Sequence, residues 1–347
     1  MTGKPSNKLL VLHEAIGPDA RPDEVDTLVQ VEEVSQVLRS QGWNVSRLET
    51  TLDLESTLAG LRQANPACVF NLVESLGGKG SLVHLVPALL QSTGLPYTGC
   101  QGDAMYLSSQ KRMAKQWMRH HDIPTAAVLD QDEYTADERT WIVKSLWEHA
   151  SFGLDDGCVV SGAGAARLRL AQSSERLGGD WFAEEYIDGQ EFNISILEIN
   201  GQPRILPIAE IAFVDYPHGK PRIVGYAAKW DEQAPEYGAT RRFFPSLSGS
   251  EQGRLERLAI KCWSAFSLRG YARVDIRLDT AGRPWVLEIN ANPCLARDAG
   301  FSAAAMEAGI SYEQLIERIV QTALGARTEK PGRSIGRNFR SQATTHA

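Results

Sequence analysis

Residues 271–278 alternate without a break: Ala272, Val274, Ile276 and Leu278 stand between Arg273, Asp275 and Arg277. A period of two belongs to an extended strand with one face in a core and the other offering charge. Asp279-Thr-Ala-Gly-Arg-Pro then supplies turn-forming residues, and 285–289 reads as a second strand, so a hairpin is predicted. Such pairing lets Asp275 on the first strand and Glu288 and Asn290 on the second converge. Carboxylate and amide oxygens suit a hard divalent cation such as Mg²⁺, whose shell a phosphate chain can complete. Taken alone, the pattern also describes a surface hairpin carrying scattered acids.

Most of the chain can be read around that hairpin. With 347 residues, 43% apolar and 23% charged, it is long enough for two or three compact units with buried cores. A net charge of −7 argues against a nucleic-acid binder, which needs a basic face, but leaves room for anions held by local lysines and arginines. The five cysteines, Cys68, Cys100, Cys158, Cys262 and Cys294, are far apart and form no Cys-x-x-Cys pair, which favours reduced thiols. With no signal-like start and no apolar run of spanning length, the expectation is a cytoplasmic protein with no membrane partner.

Strands are predicted at 8–13, 43–48 and 67–73, alternating with helices at 25–39 and 52–63, which gives a small parallel sheet flanked by helices. A glycine-rich loop, Glu74-Ser-Leu-Gly-Gly-Lys-Gly-Ser81, precedes a helix at 82–91. It fails as a P-loop because Gly80 separates the lysine from the serine, and Gly162-Ala-Gly-Ala-Ala-Arg167 lacks the third glycine of a dinucleotide fingerprint. A second unit begins with a helix at 110–121 and strands at 125–129 and 141–146 around the polar connection 130–139. Strands around 181–197 turn at Asp188-Gly189; a strand region follows at 204–213, then a helix at 250–268 before the hairpin and helices at 302–308 and 312–323.

Arg273-Val-Asp275-Ile and Leu287-Glu-Ile-Asn-Ala-Asn-Pro293 resemble the metal-binding end of ATP-grasp ligases, and residues 303–320 continue in the manner of the D-alanine–D-alanine ligase branch. The resemblance runs from about 69 to 320. It implies an α/β (α+β) ATP-grasp fold of three subdomains: a small N-terminal parallel α/β domain over 1–103, a central subdomain over 104–183 and a C-terminal one with the metal site over 184–325. ATP would lie between the last two, and 326–347 reads as a disordered tail.

By the same resemblance, Asp275, Glu288 and Asn290 bind one or two Mg²⁺ ions, with Mn²⁺ as an alternative. Lys111 and Lys144 hold the α- and β-phosphates. Trp147-Glu-His-Ala-Ser-Phe-Gly153 matches the phosphate-covering loop, with Ser151 as its seryl contact, although the copy is bulkier than the family's. Backbone groups near Glu184, Glu185 and Ile187 meet the adenine, and Glu191 accepts the ribose hydroxyls. Gly225-Tyr-Ala-Ala-Lys-Trp230 brings Lys229 over the transferred phosphoryl group, and Arg273 stabilises the acyl phosphate and the tetrahedral oxyanion.

The substrate half departs from the pattern. D-Alanyl ligases carry Gly-Gly-x-Ser-x-Glu-Arg where this chain has His13-Glu-Ala-Ile-Gly17, and a glycine where Cys294 stands. They place a serine near Ala299 to hold the acceptor's carboxylate, and a seryl–tyrosyl pair where Ala150 and Trp230 stand. The expectation is therefore an ATP-dependent carboxylate–amine ligase acting, through an acyl phosphate, on amino acids or peptides other than two D-alanines. Glu74 and Asp298 are its candidate substrate contacts, and a homodimer is the family's habit. Two alternatives stay open: an ATP-binding regulatory protein that has lost catalysis, and a phosphotransferase that releases an acyl phosphate.

Overall fold

The computed structural model describes residues 7–18, 20–129, 138–148, 150–216 and 219–325; the tail predicted at 326–347, His149 and residues 130–137 lie outside them. Strands β1 (Lys8–Glu14), β2 (Asn44–Thr50) and β3 (Cys68–Asn71) form a parallel sheet in the order β2-β1-β3. Parallel strands need crossovers, and α1 (Pro22–Ser40) and α2 (Leu54–Ala64) supply them. Asp53 starts α2 by accepting the Ser56 amide, and Asn65 ends it in the left-handed conformation. Helix α3 (Leu85–Thr93) closes this unit.

Helices α4 (Gly102–Ser109) and α5 (Lys111–His120) lead into a three-stranded antiparallel sheet of order β5-β4-β6, made of β4 (Thr140–Ser145), β5 (Val159–Ser161) and β6 (Trp181–Glu185), with α6 (Ala163–Leu177) packed on it. A larger antiparallel sheet runs β10-β9-β7-β11-β12, with β8 beside β7. Its strands are β7 (Gly189–Ile199), β8 (Gln202–Ile205), β9 (Ala209–Phe213), β10 (Thr240–Phe243), β11 (Tyr271–Asp279) and β12 (Pro284–Asn290). The short helices α7 (Tyr226–Trp230) and α8 (Pro235–Ala239) lie in the connection between β9 and β10. Helices α9 (Gly249–Ala265), α10 (Gly300–Glu307) and α11 (Tyr312–Gly325) complete the described chain.

Three readings change. The strand predicted at 125–129 makes only single bridges, Thr125 with Val286 on β12 and Val128 with Glu184 on β6, because the segment passes from one sheet to the other. The strand region predicted at 204–213 divides into β8 and β9, with Pro207 between them. Helix α4 was not expected: it is short and has no side-chain cap to announce it.

The apolar faces of β7, β11 and β12 meet α9 and α5 through Ile194, Val274, Ile276, Val286, Leu255, Cys262, Ala114 and Met118. A second core does not follow chain order. Leu315, Ile316 and Ile319 of α11 pack with Leu9 of β1 and Val34 of α1, so the C-terminal helix shares the core of the first unit. This holds the parallel domain against one end of the two antiparallel sheets.

Candidate active site

Between those sheets lies a cavity of about 450 Å³, and all fourteen candidate residues named above line it. The register explains the metal trio. Asp275 and Glu288 stand directly opposite on β11 and β12, and Asn290 stands opposite Arg273. Residues two apart share a strand face, so all four side chains point to one side of the sheet. Asn193 faces Asp275 from β7 and donates to its Oδ1 at 2.9 Å. Two carboxylates and an amide oxygen form a donor set that fits a hard divalent cation. Arg273 is spent on the same group: its Nε and Nη2 reach Asp275 Oδ1 and Oδ2 at 2.7 and 2.8 Å.

The lysines approach from the opposite wall. Lys111, in the first turn of α5, is 7% exposed and donates to the Glu148 carbonyl at 2.7 Å. Burial, opposed in part by Glu288, pushes its ammonium down to about 8. Lys144 on β4 meets Glu184 on β6 at 2.7 Å. Burial alone would lift the Glu184 carboxyl, but Lys115 and Lys144 outweigh it and hold it below the usual carboxylate range. Glu184 is therefore an ionised side chain between two ammonium groups. Its backbone, like that of Glu185, belongs to the β6 ladder, and Glu185 N–H also donates to Ala127 at 2.8 Å.

Arg277 ties the hinge together. At 4% exposure it donates to the Ile187 carbonyl at 2.7 Å, to Glu191 Oε2 at 3.1 and 2.8 Å, and to the Arg222 carbonyl. Glu191 is thus an ion-paired acid opposite Arg277 in the sheet register, not a strand-edge acid in water. Nothing but glycine fits at 189, where φ is +152° and an added Cβ would lie 1.8 Å from the Leu278 carbonyl. Sequence reading passed over Arg277, although its position two beyond Asp275 carries the same alternation signal. Lys115 was also missed, and only its spacing of four from Lys111 hints at a shared helix face.

Two covering segments clasp each other over the cavity. Ser151 Oγ donates to the Val224 carbonyl at 2.7 Å, Tyr226 N–H to Leu154 at 3.0 Å, and the Trp230 indole to the Ala150 carbonyl at 3.2 Å. Ala150 and Ser151 both sit at positive φ, 56° and 64°, an arrangement that L side chains disfavour. Lys229 and Trp230 line the space below. The first unit docks here too. Gly80 N–H donates to Glu148 Oε1 at 3.1 Å, and an added Cβ would come within 2.9 Å of the Trp147 carbonyl. The glycine-rich loop therefore presses the domains together.

At the domain junction, Glu74 Oε1 accepts from Gln30 at 2.9 Å, while the Glu74 amide donates to the buried Glu14 at 3.2 Å. Asp298 lines the cavity, and its carbonyl accepts from Arg242, a cation that sequence reading did not single out, at 2.8 Å. Cys294 donates to Asp26 at 3.3 Å. No helix among the described residues is long and apolar enough to cross a membrane.

Comparison with known proteins gives the family. The family profile described as D-ala D-ala ligase C-terminus matches residues 125–321. A D-alanine–D-alanine ligase of Synechococcus sp. (strain JA-3-3Ab) is 30% identical over 315 residues, covering 86% of this chain and 89% of that protein. The uncharacterized protein y4sG of Sinorhizobium fredii is 32% identical over 260 residues, 74% of each chain. The crystal structure of a Bacillus anthracis D-alanine–D-alanine ligase complexed with ATP superposes with a TM-score of 0.70 at 20% identity, covering 92% of this chain and 98% of that one. The profile spans more than half of this chain, and the fold agrees over nearly all of it: the protein belongs to the D-alanine–D-alanine ligase family of ATP-grasp proteins.

Proposed function

We propose that the protein is an ATP-dependent carboxylate–amine ligase that works through an acyl phosphate on substrates other than two D-alanines. The observation that carries this reading is the convergence, in one cavity, of Asp275, Glu288 and Asn290 with Lys111, Lys144 and Lys229. Phosphoryl transfer asks for charge neutralisation and alignment, not for a protein nucleophile, and this set provides them.

In this scheme Lys111 and Lys144 hold the α- and β-phosphates, and Ser151 and the backbone beside it cover them. The hinge at Glu184, Glu185 and Ile187 takes the adenine, with Glu191 on the ribose. Asp275, Glu288 and Asn290 would hold Mg²⁺, which would supply positive charge to offset that of the phosphates. The substrate carboxylate attacks the γ-phosphorus, ADP leaves, and Lys229 faces the charge on the moving group. The amine then attacks the acyl carbon; Arg273 stabilises the oxyanion, and phosphate departs as the amide forms. Arg273 serves that step only by giving up one of its two bonds to Asp275, a carboxylate that the cation would share.

Substitution at the substrate end supports substrates other than two D-alanines. Ala150 and Trp230 still touch, but through an indole and a carbonyl, and Asp298 with neighbouring Arg242 offers charge of both signs beside Ala299. Asp298 is assigned to a cationic group of one substrate.

ADP release measured over pooled amino acids and dipeptides tests the scheme. Turnover is expected only when a carboxylate and an amine are both present. Nucleotide binding without turnover across the panel would favour the regulatory reading. Hydroxylamine-trappable acyl phosphate with no amide would favour the phosphotransferase. Asp298→Asn is expected to raise KM for one substrate about tenfold, as loss of a charged hydrogen bond does, and to leave KM for ATP unchanged.

A further inference from the structure

Lys115 belongs to none of the roles above, yet it is among the most deeply buried charges of the described chain. Its side chain is 1% exposed, one helical turn beyond Lys111 on α5. Its Nζ lies 2.5 Å from Glu184 Oε2, 2.9 Å from Thr125 Oγ1 and 3.1 Å from the Leu287 carbonyl. The Thr125 hydroxyl proton is already committed to the Val286 carbonyl at 2.7 Å, so toward Lys115 this oxygen can only accept. Two of these contacts are hydrogen bonds, and the third is an ion pair in which the Glu184 carboxylate favours the ammonium form of Lys115.

The positions of these acceptors matter. Leu287 precedes Glu288 on β12, Glu184 is on β6, and Lys111 is on the same helix as Lys115. One ammonium therefore spaces three elements that each send a side chain into the cavity. Its charge matters as well. A buried carboxylate facing Lys144 alone would cancel that lysine and leave a neutral wall. With Lys115 behind it, the Lys115–Glu184–Lys144 row carries one net positive charge, and Lys144 and Glu184 line the cavity while Lys115 does not.

We propose that Lys115 is a positioning residue that acts through Glu184: it neutralises this carboxylate from behind and so leaves Lys144 free to hold nucleotide phosphate. The inference rests on the nucleotide site proposed above. It assigns Lys115 no contact with the nucleotide.

Charge bookkeeping along the row makes the test specific. Lys115→Met reduces the row to zero net charge, whereas Lys115→Met combined with Glu184→Gln restores a single positive charge on Lys144. Binding of Mg-ADP and of adenosine is measured by calorimetry for the wild-type protein and both variants, with thermal unfolding followed in parallel. Lys115→Met is expected to weaken Mg-ADP at least tenfold and adenosine less than twofold. The double variant is expected to recover Mg-ADP affinity to within about threefold of wild type, because replacing a buried ion pair as a whole avoids a stranded charge.

Equal loss of both ligands in Lys115→Met, or a double variant weaker than the single one, would overturn the inference and leave Lys115 a packing element. Unchanged Mg-ADP affinity in Lys115→Met would overturn it too. Should Lys115→Met fail to fold, the double variant decides alone: wild-type-like affinity supports the charge argument and a tenfold loss rejects it. A wild-type protein that binds no Mg-ADP would instead remove the nucleotide site itself, a different result from any of these.

Discussion

Glu14 shows how far one residue can be moved by its surroundings. It ends β1 at 4% exposure, accepts the Glu74 amide at 3.2 Å and is met by the Thr27 hydroxyl at 3.5 Å. Burial, and after it the charge of Glu74, raises its carboxyl to about 8. A carboxyl raised on folding binds its proton more tightly in the native state than in the unfolded one. Its contribution is full below the unfolded value near 4.5 and is lost as pH rises toward 8. Glu14→Gln keeps the shape and removes the titration. The variant is therefore expected to gain stability relative to wild type between pH 5 and 8, by at most about 1.4 kcal/mol per pH unit, in urea melts at a series of pH values. Arg277 and Lys115 make the complementary point. Each is an almost wholly buried cation whose ion-pair partner lies far away in sequence, so neither could be separated from surface charge by composition.

Among the elements, the two covering segments meet each other over the cavity. Their contact rests on main-chain carbonyls: Ala150 receives the Trp230 indole, Val224 receives Ser151 and Leu154 receives Tyr226. Lys220 adds an ion pair to Asp156 at 2.8 Å and another to Glu236, which joins the base of one segment to α8. Carbonyl acceptors are available whatever the side chain, so the contact at Ala150 does not depend on the side chain there. Trp230→Phe removes one donor and keeps an aromatic ring. A net hydrogen bond of about 1 kcal/mol corresponds to a roughly fivefold faster release of bound ADP, measurable by stopped-flow displacement. The β11–β12 hairpin behaves differently. Its turn and the alternation of β11 were plain in the sequence because β11 has one apolar and one charged face, whereas residues 125–129 lacked such a signal and pair with two sheets in turn.

For the whole molecule, the cavity is a junction of three units. Glu74 comes from the parallel domain, Lys111, Lys144 and Glu184 from the neighbourhood of the small antiparallel sheet, and the acid trio from the large sheet. A ligand that bridges them stabilises only the assembled form. Mg-ADP at a hundred times its dissociation constant is expected to add about 2.7 kcal/mol to the unfolding free energy, visible as a higher Tm in calorimetry. Asp275→Asn should abolish the part of that shift that depends on Mg²⁺, while the metal-free increment from ADP persists.

Taken by itself, the sequence determined the strands that bear the acid trio, the parallel N-terminal sheet, the family and the list of residues that came to line one cavity. These depend on local periodicity and on short motifs, which survive when a chain is read one window at a time. Only the tertiary structure decided that Glu191 is held by Arg277, that Lys115 stands behind Glu184 and that α11 completes the first domain's core. The physical reason is distance along the chain. Ion pairs across 69 or 86 residues, and a core shared between the first strand and the last helix, arise from how sheets stack, and no stretch of neighbouring residues carries that information.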